Sequence, residues 1–463
     1  MNIELNNIIN IYFLGIGGIG MSAQAKYFKQ RGCIVSGYDK TPTKLTESLI
    51  NQAIPVIFED NPELIPFTPD IVVYTPAIPS DNKLYQYFLS KKIKLIKRSQ
   101  ILGLICKDHF TIAVAGTHGK TSITTLISHL LITAGINITA FAGGISRNYN
   151  TNLIISENNS ENSIPNTIFI VEADEYDKSF LSLYPDIAVV TSMDADHLDI
   201  YGNKEAMTES FIAFIKQLKA NGKLIINSSC LITNQESAFR GQKFYKYSYD
   251  DRGSDFYSTN RKINNQSQYF DISRIGLQEI KYPFPGRHNI ENAIAATAVA
   301  TLLGIDRQKI KEGLENFKGV ERRFHYRVNT ENQIFIDDYA HHPEELKAFI
   351  QSVKSLYPTK RITGIFQPHL YSRTRDFAAE FAASLDILDS LILLDIYPAR
   401  EQPIENVTSE IIYNKMKLKD KKIIKREELI GELKRRDIEV LLTMGAGDID
   451  LLVPLIEQEI KKK

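Results

Sequence analysis

Phe110-Thr-Ile-Ala-Val-Ala115 followed by Gly116-Thr-His-Gly-Lys-Thr-Ser122 is the stretch whose reading decides the fold. The first run is apolar and β-branched enough for a buried strand. After the glycines, Ile123, Leu126, Ile127, Leu130, Leu131 and Ala134 recur at helical spacing and mark one face of a helix. Strand, glycine loop and helix therefore follow in order. Such a loop lets backbone N–H groups approach phosphate oxygens at a helix N-terminus, with Lys120 reaching the β/γ-phosphates and Thr121 able to ligate Mg²⁺. The loop is two residues shorter than the common G-x-x-x-x-G-K-[ST] form.

Working outward, an earlier loop, Gly15-Ile-Gly17-Gly18-Ile-Gly20, stands between the strand-like Ile11-Tyr-Phe-Leu14 and a helix-like run from Met21 to Arg31. A second strand, Ile34 to Tyr38, ends at Asp39, about 20 residues on, as a dinucleotide fold requires. The physics of this loop selects a pyrophosphate, so NAD and UDP-sugars fit it equally. Thr75 follows the strand Ile71-Val-Val-Tyr74, at the edge where open α/β sheets bind ligands. It reads equally as a simple turn residue.

Beyond the phosphate loop, Ile168-Phe-Ile-Val171 and Ile187-Ala-Val-Val190 each lead into acidic or histidine residues. Glu172 follows the first strand; His197 comes seven residues after the second. Strand ends of one parallel sheet share a crevice, so Thr121, Glu172 and His197 could converge on a divalent ion beside the phosphates. The imidazole suits Mn²⁺ or Zn²⁺ better than Mg²⁺, and His197 reads equally as a helix-capping histidine. Residues 245 to 282 alternate polar and aromatic side chains and are expected to form antiparallel edge strands. After the Pro285-Gly286 turn an alanine-rich helix runs to Leu303.

The last third carries strand runs at Ile334-Phe-Ile336, Ile362 to Phe366, Leu391 to Leu394 and Val440 to Thr443. Polar clusters follow each one: Asp337 to His342, Gln367 to Arg373, Asp395 with Arg400 and Glu401, and Gly445 to Asp448. Their shared position predicts a site at the carboxyl edge of this sheet, facing the phosphate loop across a cleft. Arg322 and Arg323 stand at the preceding hinge, where a rigid guanidinium suits phosphate or carboxylate.

Composition excludes several classes. The chain has 463 residues, enough for two or more cores of about 250–300 residues at most. Lys plus Arg and Asp plus Glu number 55 each, so no basic field argues for nucleic acid or anionic membrane. Cys33, Cys106 and Cys230 are too dispersed for a zinc site or disulfide framework and fit a reducing cytoplasm. No apolar stretch has membrane-spanning length and no export signal opens the chain, which predicts a soluble, cytoplasmic protein without membrane insertion.

The ordered set of motifs resembles the Mur ligases of peptidoglycan synthesis over nearly the whole chain. The resemblance rests on Gly15 to Met21, Gly116 to Thr121, Glu172-Ala-Asp-Glu175, Ala195-Asp-His197, Pro285-Gly-Arg-His-Asn289 with Asn292, Arg322-Arg-Phe324, Asp337-Asp-Tyr-Ala-His-His342 and Gln367-Pro-His369 with Arg373-Thr-Arg375. It implies an α/β fold of three domains: a Rossmann-like UDP-sugar domain (1–107), a P-loop ATPase-like central domain (108–320) and a Rossmann-like C-terminal domain (321–463). It further implies ATP-dependent joining of L-alanine to UDP-N-acetylmuramate through an acyl phosphate, with two divalent ions, magnesium or manganese, by a monomer or homodimer. Gly15, Gly17, Gly18, Gly20, Asp39 and Thr75 would then hold UDP. Gly116, Thr117, His118, Gly119, Lys120, Thr121, Ser122, His288, Asn289, Asn292 and Arg323 would hold ATP. Thr121, Glu172 and His197 would hold metal. Lys120, Glu172, His197, Asn292, Asp338, His341 and Arg373 would carry catalysis. Tyr176 and Leu370 depart from residues common in the family's motifs.

Overall fold

The computed structural model describes residues 4–156, 167–193, 201, 203–230, 243–264, 267–399 and 401–462. The chain divides into two compact units. One comprises residues 1–260, 271–280 and 291–318; the other comprises 261–270, 281–290 and 319–463.

The first unit begins with a five-stranded sheet of β1 (Asn10–Leu14), β2 (Ile34–Tyr38), β3 (Val56–Ile57), β4 (Ile71–Tyr74) and β5 (Lys94–Lys97). Its order is β3-β2-β1-β4-β5 and its pairings are parallel. Strand β1 is central, which places the Gly15–Gly20 loop at the point where the order reverses, the usual ligand crevice of such sheets.

The next sheet uses β6 (Phe110–Ala115), β7 (Ile138–Ser146), β8 (Thr151–Ile155), β9 (Ile168–Glu172), β10 (Ile187–Val190) and β11 (Lys223–Asn227). It continues with β12 (Lys243–Ser248), β13 (Phe256–Asn264), β14 (Ser267–Ile272) and β15 (Leu277–Tyr282). The order is β15-β14-β13-β12-β11-β10-β6-β9-β7-β8. Strand β6 thus lies between β9 and β10, both parallel to it. Antiparallel edge strands were expected from residue 245 onward. Instead β12 runs parallel to β11 over five residue pairs, because alternation specifies which face is buried and not strand direction.

The helix Lys120–Thr133 buries Ile123, Leu126, Ile127, Leu130 and Leu131, the face that the spacing predicts. Thr124, Thr125 and Ser128 are buried too, so the helix is covered on more than one side, while Ala134 at its end is half-buried. Polar contacts join the first two sheets. Lys26 Nζ donates to Asn152 Oδ1 at 3.0 Å, and Asn152 Nδ2 donates to Ile19 O at 2.6 Å and Ser22 Oγ at 2.9 Å. Lys97 pairs with Asp177 at 2.9 Å and Arg98 with Asp174 at 3.1 Å. Asn152 is fully buried, so its amide meets the buried-polar requirement by spanning two domains.

The second unit is built on β16 (His325–Asn329), β17 (Ile334–Asp338), β18 (Ile362–Phe366), β19 (Ser390–Leu393), β20 (Lys421–Ile423) and β21 (Val440–Met444). Their order is β16-β17-β21-β18-β19-β20; β16 is antiparallel to its neighbour and the other pairings are parallel. The three-domain α/β class stands, with the first sheet and strands β6 to β12 of the second inside one compact unit. No helix of the described residues is long and apolar enough to cross a membrane.

Candidate active site

Three neighbouring strand ends form the centre. Gly116 follows β6, Glu172 ends β9, and Thr191-Ser192 follows β10. Thr191 Oγ1 donates to His118 O at 2.5 Å, Ser192 Oγ accepts from His118 N at 3.0 Å, and Thr117 Oγ1 shares a hydrogen bond with Ser192 Oγ at 2.6 Å. The loop is therefore clamped by contacts to the residues that follow the neighbouring strand. Gly116 has φ 134° and Gly119 φ 81°, the second capping the helix that begins at Lys120. A Cβ on Gly119 would come within 2.6 Å of Asn292 Oδ1, so Asn292, assigned to the nucleotide side, lies against the loop.

The turn Glu172-Ala-Asp-Glu175 supplies three carboxylates with three different partners. Glu172 accepts from Thr121 Oγ1 at 3.1 Å and from Gly143 N at 2.8 Å. Asp174 pairs with Arg98. Glu175 Oε1 pairs with Lys120 Nζ at 2.8 Å, and Lys120 also donates to Gly116 O at 2.7 Å. Burial alone would lower the Lys120 ammonium, but Glu175, Asp174 and Glu172 outweigh it and keep the pKa above the ordinary lysine value. Burial pushes Glu175 upward against the pull of Lys120.

At the first glycine loop, Asp39 Oδ2 accepts from Gly17 N at 2.8 Å, so this carboxylate braces the loop itself. Thr75 packs on Gly15, where an added Cβ would meet its Cγ2 at 2.7 Å. The Arg98 guanidinium lies against Gly20, where a Cβ would meet Nη1 at 2.8 Å. Arg98 thus touches the glycine loop and the acidic turn together. Its side chain is reached only through folding, and no local motif singled it out.

In the second unit, the polar clusters follow the carboxyl ends of adjacent strands β17, β21, β18 and β19. Asp338, 9% exposed, accepts from Phe324 N at 2.7 Å and Ala340 N at 2.8 Å. Burial raises its pKa to about 6 despite Arg323 and these two N–H donors. Asp337 accepts from Thr443 Oγ1 at 2.7 Å and from Arg322 Nε at 3.3 Å. Arg322 and Phe324 adopt positive φ of 58° and 44°, a strain of about 1–3 kcal/mol each that the two aspartates help to hold. Both hinge arginines lie over the Tyr339 ring, at 5.2 and 5.1 Å.

His341 Nδ1 faces Tyr339 O at 3.0 Å and Glu345 Oε2 at 3.2 Å, two acceptors, so it carries the ring proton. Burial lowers its pKa to about 4 against Glu345, with Arg373 and Arg323 adding to the shift; the ring is neutral near pH 7. Asp338, His341 and Arg373, which follow strand ends, therefore share one neighbourhood with Arg323 of the preceding hinge. His288 and Asn289 lie in the first turn of the helix Arg287–Leu302, in the part that belongs to this unit, where Asn289 Nδ2 donates to Pro285 O at 2.7 Å. His197 and Arg400 lie outside the described residues, as do Asp194, Asp196 and Asp199.

Glu175, Thr191, Ser192 and Gly143 are site residues to which sequence reasoning gave no role. Thr191 and Ser192 had a usable signal: a polar pair immediately after a buried strand whose neighbour carries the phosphate loop. Among the described residues no three His, Cys, Asp or Glu side chains gather as a metal cluster. Thr121 Oγ1 and the Glu172 carboxylate, 3.1 Å apart, are oxygen donors that could hold a divalent ion.

Fold and site together define an α/β protein of three sheet-centred domains, with a short phosphate loop on the middle sheet and an acidic turn beside it. Family models match in the same order: "Mur ligase family, catalytic domain" over residues 10–110, "Mur ligase middle domain" over 114–300 and "Mur ligase, glutamate ligase domain" over 322–447. The UDP-N-acetylmuramate–L-alanine ligase of Flavobacterium johnsoniae is 43% identical, covering 99% of each chain. That of Flavobacterium psychrophilum is 45% identical over 99% of this chain and 100% of its own. The crystal structure of the UDP-N-acetylmuramate–alanine ligase of Thermotoga maritima superposes with a TM-score of 0.82 at 26% identity, covering 99% of this chain and 100% of that one. The chain belongs to the Mur ligase family.

Proposed function

We propose that this protein joins L-alanine to the lactyl carboxylate of UDP-N-acetylmuramate at the expense of ATP, forming ADP and phosphate in the synthesis of peptidoglycan precursor. The observation that carries this is identity of 43% and 45% over 99% of the chain with two UDP-N-acetylmuramate–L-alanine ligases. The site chemistry supports it. The sugar carboxylate attacks the γ-phosphorus, ADP leaves, and an acyl phosphate forms. The alanine amino group then attacks the acyl carbon and phosphate leaves.

Lys120 stabilises charge on the transferred phosphoryl group, and the loop N–H groups hold the triphosphate at the helix N-terminus. Magnesium would be held by Thr121, Glu172 and His197 and would supply charge neutralisation between phosphates. Asn292, His288, Asn289, Ser122, Thr117 and His118 complete the ATP side. Asp338, His341, Arg323 and Arg373 serve the closing domain and the amino acid. Gly15, Gly17, Gly18 and Gly20 receive the UDP pyrophosphate, with Asp39 and Thr75 shaping the loop. Positioning supplies most of the acceleration, since phosphoryl transfer leaves little covalent chemistry to the protein.

The test is phosphate release with UDP-N-acetylmuramate, ATP, magnesium and one amino acid at a time. Release should require both the sugar nucleotide and alanine, with leakage to glycine or serine because one methyl group discriminates by only about 1–3 kcal/mol. Release supported by a tripeptide and not by alanine would reassign the acceptor. A change in nicotinamide absorbance without ATP would overturn the ligase assignment altogether.

A further inference from the structure

We propose that Glu175 is a displaceable counter-ion: it holds Lys120 while no nucleotide is bound, and ATP binds by taking the lysine from it. The inference rests on Gly116–Ser122 being the ATP phosphate site. A phosphate-loop lysine works by pointing at the β/γ-phosphates. Here the ammonium is turned elsewhere, to Gly116 O at 2.7 Å within its own loop and to Glu175 Oε1 at 2.8 Å.

The other two carboxylates of the turn are committed to other groups. Glu172 serves Thr121 and Gly143 N. Asp174 serves Arg98 and accepts from Tyr176 N at 3.1 Å. Glu175 has Lys120 as its ion-pair partner, is 1% exposed, and keeps Oε2 without a hydrogen-bond partner among the described residues. A buried carboxylate with one satisfied oxygen relies heavily on its single cation. The triphosphate brings a larger negative charge to the same ammonium. Carboxylate and γ-phosphate repel at that range, so the lysine is exchanged and not shared. After turnover the pair re-forms and competes with ADP for Lys120, which resets the loop.

Calorimetric titration of ATP, with chelator present so that no divalent ion intervenes, reads this exchange. Glu175→Gln keeps the shape and deletes the competing charge, so it should bind ATP and ADP about tenfold more tightly than wild type, with the KM for ATP falling in parallel. A residue with a merely structural role gives the opposite sign, because its loss loosens the loop. Glu175→Asp withdraws the carboxylate by one methylene and should shift affinity in the same direction by less; it carries the test if the glutamine variant does not fold. Unchanged or weaker ATP binding in the folded variants overturns the proposal. Wild-type protein that binds no ATP even with magnesium supplied in place of the chelator would instead overturn the assignment of the phosphate loop.

Discussion

Gly116→Ala is the most demanding perturbation of the phosphate loop. Its φ of 134° lies where side chains are rarely tolerated, at a strain of about 1–3 kcal/mol. The new methyl would stand 2.0 Å from Thr191 Oγ1, 2.9 Å from Ser192 N and 3.0 Å from Thr191 N. Two of these atoms are backbone, so no side-chain rotation clears the clash, and overpacking adds about 1–3 kcal/mol. The sum is about 2–6 kcal/mol if the loop keeps its shape. The loop can escape by moving out of register with the helix N-terminus, and nucleotide binding must then restore it. Even the lower bound of about 2 kcal/mol corresponds to about 30-fold weaker ATP binding. Isothermal titration with ATP measures this directly. Because the sequence contains no tryptophan, unfolding should be followed by far-UV circular dichroism. A Gly116→Ala protein that binds ATP within twofold of wild type would refute the reasoning.

Further outcomes are expected. Lys120→Ala should lose about 10²–10³ in kcat, as removal of comparable charge-stabilising donors does; stopped phosphate release is the measurement, and near-normal turnover would exclude Lys120 from the reaction. Asp338, with its pKa raised to about 6, contributes stability that is full below its unfolded pKa and lost as pH rises through about 6. His341, lowered to about 4, contributes stability that is full above its unfolded pKa and lost as pH falls toward about 4. Urea midpoints between pH 4 and 7 should therefore tilt in opposite directions in Asp338→Asn and His341→Gln, by up to about 3 kcal/mol each; tilts of the same sign would contradict these environments. Thr191→Val removes the hydroxyl that donates to His118 O at 2.5 Å and should weaken ATP binding roughly three- to tenfold with little change in melting temperature.

Much of this was legible because the informative residues obey local rules. The helix after Lys120 shows its buried face at 3.6-residue spacing, and the runs before Glu172, Gln367 and Gly445 are buried parallel strands, which read as continuous apolar stretches. Clusters at strand ends follow from that, since parallel strands deliver their carboxyl ends to one edge. What stayed hidden depends on which strands are neighbours. That β21 inserts between β17 and β18, bringing Gly445 O within 2.6 Å of Arg322, is a pairing across more than 100 residues that no local period records. The partnership of Glu175 with Lys120 was hidden for the same reason: in sequence it is one acid among three in a short turn. The direction of β12 was misread because a two-residue period is identical in parallel and antiparallel strands.

The fully buried amide of Asn152 has a consequence for protein engineering. It bridges Lys26, Ile19 O and Ser22 across the junction between the first two sheets. A chimaera made by exchanging the first sheet's module at residue 107 would cut the polypeptide at a sensible linker and still sever a buried network. The transplantable piece is discontinuous: it must travel with Asn152, Asp174 and Asp177 from the acceptor side. Libraries that recombine these ligases at the linker alone should yield mostly unstable hybrids, and co-transfer of those three positions should recover them.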